Sequence, residues 1–142
     1  MYIQTGLLYT TEFYDLVRRR LSPHGAVALY ASGWFTESNP IARHVVASVA
    51  QVFPECYVVS DFTLGLTFVV AGQALPIRQQ ELAQLIGRDL PDHAVWVYPR
   101  REALEQIVKG AEPMSVRSPR TILWINWWLL RSLWNPASVR TG

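Results

Sequence analysis

Residues 7–30, LLYTTEFYDLVRRRLSPHGAVALY, predict a complete helix followed by a strand. Thr10 or Thr11 can cap the helix, and Glu12 and Asp15 place negative charge in its first turns, where the helix dipole favours it. Apolar residues then recur at helical spacing and predict one buried face, formed by Phe13, Leu16, Val17 and Leu21.

The helix is expected to end in the turn Ser22-Pro23-His24-Gly25, just after three consecutive arginines. Cations near a helix C-terminus are favoured by the dipole, so these arginines need no ligand to explain them. Ala26 to Tyr30 is a continuous apolar run. Such a run is typical of a strand that is covered on both faces in a parallel sheet.

A second helix and a hairpin follow. Asn39-Pro40 is a strong helix start, and Phe53-Pro54 ends that helix. Two β-rich segments, Cys56–Ser60 and Leu66–Ala71, are separated by the five-residue link Asp61–Gly65. Because this link is too short for a parallel crossover, the two segments are expected to pair as an antiparallel hairpin.

The second half of the chain gives weaker patterns. We expect residues 1–74 to form an α/β segment, and residues 75–142 to form a mostly helical extension packed on the same domain. The predicted elements of the extension are helices over Pro76–Ile86, Arg101–Lys109 and Ile122–Trp134, with a short strand at Ala94–Tyr98. Gly87 and Gly110 are expected to stop the first two helices, and a Glu105–Lys109 pair to support the second.

Composition indicates a globular domain of 142 residues, half of them hydrophobic and 17% charged. The formal charge of +2 is too small to indicate a nucleic-acid partner. Cys56 is the single cysteine, which excludes an internal disulfide. No signal peptide and no apolar run of about 20 residues is visible, so a cytoplasmic location is expected.

The C-terminal helix is rich in tryptophan and is apolar nearly all round. It would cover the chain's own sheet, dock on a protein partner, or lie on a membrane surface. The membrane alternative is the least favoured, because the polar face is narrow. The residues that would make an interface are Trp124, Trp127, Trp128, Arg131 and Trp134.

Few residues carry the pattern of a chemical site. His24, His44 and His93 show no metal-ligand spacing, so we expect no metal site, and Cys56 begins an apolar strand as a small buried residue. Ligands bind outside the carboxyl ends of strands in open α/β sheets. The residues expected at such ends, and therefore the candidates to face a substrate, are Tyr30, Ser32 and Asp61.

One stretch resembles a known family. Leu8 to Tyr14, LYTTEFY, followed by RRLSPHG at residues 19–25, resembles the LYTxEFYxLxxxxLxPGG segment of the polyamine aminopropyltransferases, the spermidine and spermine synthases. In that family a buried strand, a helix ending in Phe-Pro and a closing hairpin come next, and residues 3–72 keep this order. LYTTEFY also weighs against other S-adenosylmethionine-dependent methyltransferases, which share the fold without the string.

The resemblance implies a partial Rossmann-like sheet of the methyltransferase type that ends in an antiparallel hairpin. The family transfers an aminopropyl group from decarboxylated S-adenosylmethionine to a polyamine, without a metal. Its Gly-rich turn, its ribose-binding acid and its catalytic aspartate lie upstream of the LYT segment and would precede Met1. The chain itself contains no G-x-G-x-x-G.

Two departures affect the amine site of the family. Tyr30 stands where the family has a glutamine, and DFTLG at residues 61–65 replaces its PTYPSG loop. We therefore expect a spermidine synthase-like chain that binds no cofactor and lacks independent activity, and that associates with itself or with a complementary N-terminal half. The alternatives are a non-catalytic binding or assembly module that uses the Trp-rich helix, and a fragment of another S-adenosylmethionine-dependent methyltransferase.

Overall fold

The computed structural model describes residues 8–118, together with Leu123 and Trp127. Within this part of the chain, four helices, one of them continued by a π-helix, surround a four-stranded sheet. In chain order the elements are α1 (Thr11–Arg20), β1 (Ala26–Tyr30), α2 (Pro40–Val52), β2 (Glu55–Asp61), β3 (Leu66–Gly72), α3 (Gln79–Asp89), β4 (Val95–Pro99) and α4 (Arg100–Glu102), which runs on into the π-helix Ala103–Val108.

The capping residues set the starts of the first two helices. The Thr10 hydroxyl accepts a hydrogen bond from the amide of Phe13 at the start of α1. The Asn39 side chain accepts from the amide of Ala42 at the start of α2, with Pro40 in the first helical position. Each cap satisfies an amide that has no partner within its helix, as the sequence predicts.

The sheet has the strand order β1-β3-β2-β4, and every neighbouring pair is antiparallel. The predicted hairpin of β2 and β3 is confirmed, with Asp61 opposite Leu66 across the turn. Strand β3 lies between β1 and β2 in space although it follows both in sequence. Since β1 and β2 are both antiparallel to β3, they run in the same direction.

The prediction for β1 is wrong in two respects, because β1 pairs with an antiparallel strand and only one of its faces is covered by the described residues. The strand lies at the edge of the sheet, and exposed residues alternate with half-buried ones along it. Val27 and Leu29 pack against the core, whereas Ala26, Ala28 and Tyr30 are exposed on the opposite face. The run is apolar on both faces, but the described residues cover only one of them.

The core lies between one face of the sheet and the helices α1 and α2 with the π-helix. It is built from side chains that are almost completely buried, including Tyr14, Phe35, Val45, Val49, Phe53, Val58 and Val69. Tyr14 supplies the buried position of α1, whereas Leu16, predicted on the buried face, is 60% exposed. The helix is therefore rotated so that Tyr14 points inward.

In the second half, helix α3 departs from the prediction, whereas the short strand predicted at Ala94–Tyr98 is present as β4. Helix α3 runs through Gly87 to Asp89, so this glycine does not end the helix. Strand β4 pairs with β2 and extends the sheet, with Asp61 opposite Val95. On the face opposite the core, α3 packs against β4, where Gln79 donates a hydrogen bond to the carbonyl of Val97 over 2.7 Å.

The predicted Glu105–Lys109 pair is replaced by two others. Glu105 pairs with Arg101 at 2.8 Å, and Lys109 pairs with Glu37 at 3.3 Å. The π-helix explains the change, because its wider turn joins the Lys109 amide to the carbonyl of Leu104. Lys109 therefore does not lie directly above Glu105.

Candidate functional site

Strand direction places the three predicted site residues at one end of the sheet, where the strands β1 and β2 finish. Because β1 and β2 run in the same direction, their carboxyl ends lie at the same edge, where β3 and β4 begin. Tyr30 is the last residue of β1, Ser32 lies two residues beyond it, and Asp61 ends β2. We call this end of the sheet the rim, and it is formed by residues 30–34, residues 61–65 and His93.

Asp61 is the most highly connected polar side chain of the rim. Its Oδ1 accepts hydrogen bonds from the amides of Thr63 at 2.9 Å and Leu64 at 3.1 Å, and its Oδ2 lies 2.6 Å from Nδ1 of His93. These hydrogen bonds, that of His93 first, outweigh the effect of burial and hold the pKa of Asp61 below its usual value. The carboxylate therefore stays ionised and fixes the turn between β2 and β3.

The sequence did not predict this pairing of Asp61 and His93. The sequence predicts Asp61 as a candidate to face a substrate and gives it no partner, but Asp61 is only 6% exposed. The two residues are separated by 32 positions and meet because β4 pairs with β2. Only a correct prediction of that strand pairing would have revealed the contact.

We expect the Asp61→Asn substitution to destabilise the protein near pH 7 and to change its response to acid. A carboxylate with a lowered pKa contributes stability above its unfolded pKa of about 3.9, and loses that contribution as the pH falls through the folded value. The difference in free energy of unfolding between wild type and Asp61→Asn should therefore shrink as the pH falls below about 4. Urea unfolding at a series of pH values measures it.

The surface carboxylate Asp89 offers a matched control for that experiment, since Asp89→Asn removes an exposed pair with Arg88. Its stability should stay close to that of wild type at every pH. A constant gap between wild type and Asp61→Asn down to about pH 2 would contradict the role assigned to the Asp61 carboxylate.

The loop after β1 is held in place by hydrogen bonds that side chains donate to its main-chain carbonyls. Thr67 Oγ1 donates to the carbonyl of Gly33 over 2.5 Å, and the Asn39 side-chain amide donates to the carbonyl of Trp34 over 2.8 Å. Ser32 has φ 93°, a left-handed conformation that residues other than glycine rarely adopt. The surrounding hydrogen bonds therefore maintain a locally strained backbone at the end of β1.

Aromatic side chains cover much of the remaining rim. The Tyr30 hydroxyl accepts a hydrogen bond from the amide of Gly33 at 3.2 Å, and its ring centroid lies 5.6 Å from that of Phe68. Trp34 is 56% exposed and lies against Gly65. The rim therefore presents flat apolar rings beside the carboxylate of Asp61, which has three hydrogen-bond partners.

A groove lies elsewhere, between α1, the end of α2 and Arg117. It encloses about 600 Å³, and Asp15, Arg18 and Arg19 line it. Asp15 forms ion pairs with Arg18 at 2.7 Å and with Arg19 at 2.6 Å. Both arginines already pair with a carboxylate. Their position at the end of α1, where the helix dipole favours cations, therefore explains them without a ligand.

The described residues hold no group of three or more His, Cys, Asp or Glu side chains arranged to bind a metal ion. His44 instead places its Nδ1 2.6 Å from the carbonyl of Glu112. Cys56 is buried, and burial raises the pKa of its thiol to about 11. A thiol with such a pKa is a poor nucleophile, in agreement with its expected role as a small buried residue.

The predicted C-terminal helix lies largely outside the described residues. Leu123 and Trp127 are helical and more than half exposed, at 58% and 55%. The remaining interface candidates lie outside the described residues, namely Trp124, Trp128, Arg131 and Trp134. None of the helices among the described residues has the length and apolar character needed to cross a bilayer.

Comparison with solved structures shows a similar fold in a known protein. The chain resembles the crystal structure of a probable spermidine synthase from Corynebacterium glutamicum, with a TM-score of 0.62. The two share 17% sequence identity over 76% of this chain and 41% of that chain. No protein-family model matches the sequence, and no curated protein does.

At this level of identity the match establishes a related fold. It gives structural support to the distant link that LYTTEFY indicates, and the chain spans less than half of the length of the protein that it matches. The activity of a complete spermidine synthase is therefore a matter for proposal.

Proposed function

We propose that this chain is a spermidine synthase-like protein that keeps part of the aminopropyltransferase fold and has no aminopropyltransferase activity of its own. The observation that carries the proposal is the sheet itself, in which β3 lies between β1 and β2, in a chain whose fold matches 41% of a probable spermidine synthase. We interpret this sheet as one part of a Rossmann-like sheet of the methyltransferase type.

The lack of activity is inferred from the missing chemistry. The sequence contains no G-x-G-x-x-G turn to hold a nucleoside. At the rim, Asp61 is committed to His93 and to two amides, so its carboxylate is not free to receive an amine. Tyr30 and the DFTLG turn replace the amine-contacting positions of the family.

Isothermal titration calorimetry with decarboxylated S-adenosylmethionine tests this proposal. We expect no binding with a Kd below about 1 mM, which corresponds to less than about 4 kcal/mol of binding free energy. An active polyamine aminopropyltransferase, titrated under the same conditions, is the positive control. Micromolar binding to this chain, or aminopropyl transfer to putrescine or spermidine, would overturn the proposal.

One observation favours a second candidate, a non-catalytic binding or assembly module. Leu123 and Trp127 are both helical, and both are more than half exposed. Tryptophan is enriched among the residues that dominate protein interfaces. A stable, monodisperse oligomer in size-exclusion chromatography with light scattering would support this candidate, and aggregation would count against it.

A further inference from the structure

The outer side of β1 carries main-chain groups that no described strand pairs. The amide of Ala31 donates to the carbonyl of Thr67, so the odd-numbered residues of β1 face β3. In an antiparallel pair alternate residues face the same neighbour, and the even-numbered residues therefore point their N–H and C=O groups away from the sheet. These outward residues are Ala26, Ala28 and Tyr30.

This edge has none of the features that usually prevent strand pairing. Proteins protect exposed edges with charged side chains, proline or bulges. The segment AVALY contains no charge and no proline, and its pairing with β3 continues without interruption from Ala26 to Tyr30. Among the described residues, the edge of β1 is thus open to another strand.

The exposed sheet face beside this edge is also apolar. Tyr30 is 44% exposed and Phe68 39% exposed, and their rings pack together on the side of the sheet opposite the core. Helix α3 lies against β4, at the other end of the sheet. A partner at the edge of β1 would therefore gain both main-chain hydrogen bonds and contact with an aromatic pair.

The order of residues along β1 fits a second copy of the same strand. If a two-fold axis passes through Ala28, the outward groups of Ala28 face those of Ala28 in the other copy, and those of Ala26 face those of Tyr30. All three outward residues then meet outward residues, which gives about six main-chain hydrogen bonds. The register is self-complementary.

Side-chain sizes favour the same arrangement. Directly opposite residues point to the same face, so each Tyr30 ring would lie beside the methyl group of Ala26 in the other copy. A large ring next to a small side chain packs without collision, and the central Ala28 pair adds no bulk. No like charges meet, because β1 has no charged residue.

We propose that β1 is a dimerisation edge, at which a second copy of this chain adds its own β1 in antiparallel orientation, centred on Ala28. The two four-stranded sheets then form one continuous sheet. The interface is small, below about 1,200 Å² in total, and a dissociation constant in the micromolar range is expected. This dimer deepens the assembly-module candidate and does not depend on whether the chain binds a nucleoside.

Sedimentation equilibrium of the full chain over a range of concentrations tests the proposal. The mass is expected to rise from that of a 16.2 kDa monomer towards twice that value. Ala28→Lys would place two ammonium groups opposite each other at the axis, and we expect it to weaken dimerisation at least about 30-fold, or about 2 kcal/mol. Ala83→Lys, on the exposed surface of α3, is the matched control and should dimerise as wild type does.

Ala28→Pro provides a second variant that acts on the main chain. It removes an outward amide and leaves the hydrogen bonds to β3 intact, so it should also give a monomer. Circular dichroism and thermal unfolding show whether each variant keeps its fold. If Ala28→Pro fails to fold, Ala28→Lys still tests the dimerisation proposal, because its main chain is unchanged.

Cross-linking tests the register directly. Two Ala28→Cys side chains would face each other with Cα atoms about 5.5 Å apart, within the range of a disulfide. Mild oxidation should link the two copies of Ala28→Cys and leave Ala83→Cys unlinked, since Cys56 is buried and does not compete.

Three results would overturn the proposal. The first is a folded wild type that remains a monomer at every concentration. The second is a dimer that persists in Ala28→Lys, or a failure of the two copies of Ala28→Cys to become cross-linked. The third is capture of a different polypeptide at the β1 edge in preference to a second copy. These results are independent of the calorimetric test of nucleoside binding, so the two proposals fail separately.

Discussion

Replacing Phe35 with alanine is expected to lower the free energy of unfolding by about 3–5 kcal/mol, as is typical of large aromatic-to-alanine changes in a core. Phe35 is 1% exposed, and its ring packs edge-on against Tyr98 with centroids 5.5 Å apart. Its amide also donates to Ser60 Oγ over 3.4 Å. The residue therefore anchors the loop after β1 to β2 and β4 at once.

The measurement is a pair of urea and thermal unfolding curves for Phe35→Ala and wild type. For a chain of this size, such a loss lowers the melting temperature by about 10–20 °C and removes a large part of a total stability of about 5–15 kcal/mol. The matched control is Phe62→Ala, because Phe62 is 39% exposed in the turn between β2 and β3. Its cost should stay below about 1 kcal/mol. Equal losses in the two variants would refute the anchoring role of Phe35.

Local chemistry made much of the fold predictable. The Thr10 and Asn39 caps fix two helix starts, and the short link Asp61–Gly65 fixes the antiparallel hairpin. These features depend on residues close together in sequence. Their geometry is set by neighbouring residues, and sequence patterns therefore reveal them.

Non-local packing explains what the sequence did not predict. The apolar run of β1 is compatible with a central strand and with an edge strand, and only the order of the described strands, which leaves β1 at one end, decides between them. Glu105 has a cation one turn away on either side, Arg101 and Lys109. With the π-helix, Glu105 pairs with Arg101 and not with Lys109, and no local sequence pattern predicts that helix.

The candidate site likewise combines residues that the sequence predicts with a contact that it does not predict. The carboxyl ends of the predicted strands gave Tyr30, Ser32 and Asp61 as rim residues, and strand direction brings them to one edge. The contact of His93 with Asp61 depends on the pairing of β4 with β2, which sequence periodicity does not specify. Whether these residues face a substrate stays a prediction.

Gly65→Ala is expected to cost about 2–3 kcal/mol, through two effects that the chain allows us to separate. Gly65 has φ +67°, and a side chain in this left-handed region costs about 1–2 kcal/mol. A Cβ there would also lie 2.9 Å from Nε1 and 3.1 Å from Cε2 of Trp34, so the indole must move. Displacing the ring adds up to about 1 kcal/mol.

Gly110 is the matched control, because it shares the backbone conformation and lacks the neighbour. Its φ is +70°, and a Cβ added there would meet no described atom within 4 Å, so Gly110→Ala should show the backbone cost alone. In a Trp34→Ala background, Gly65→Ala should cost no more than Gly110→Ala. A double-mutant cycle by urea unfolding measures the difference. If Gly65→Ala and Gly110→Ala cost the same in the wild-type background, then Trp34 does not hold the β2–β3 turn, and the rim depends on Asp61 for its shape.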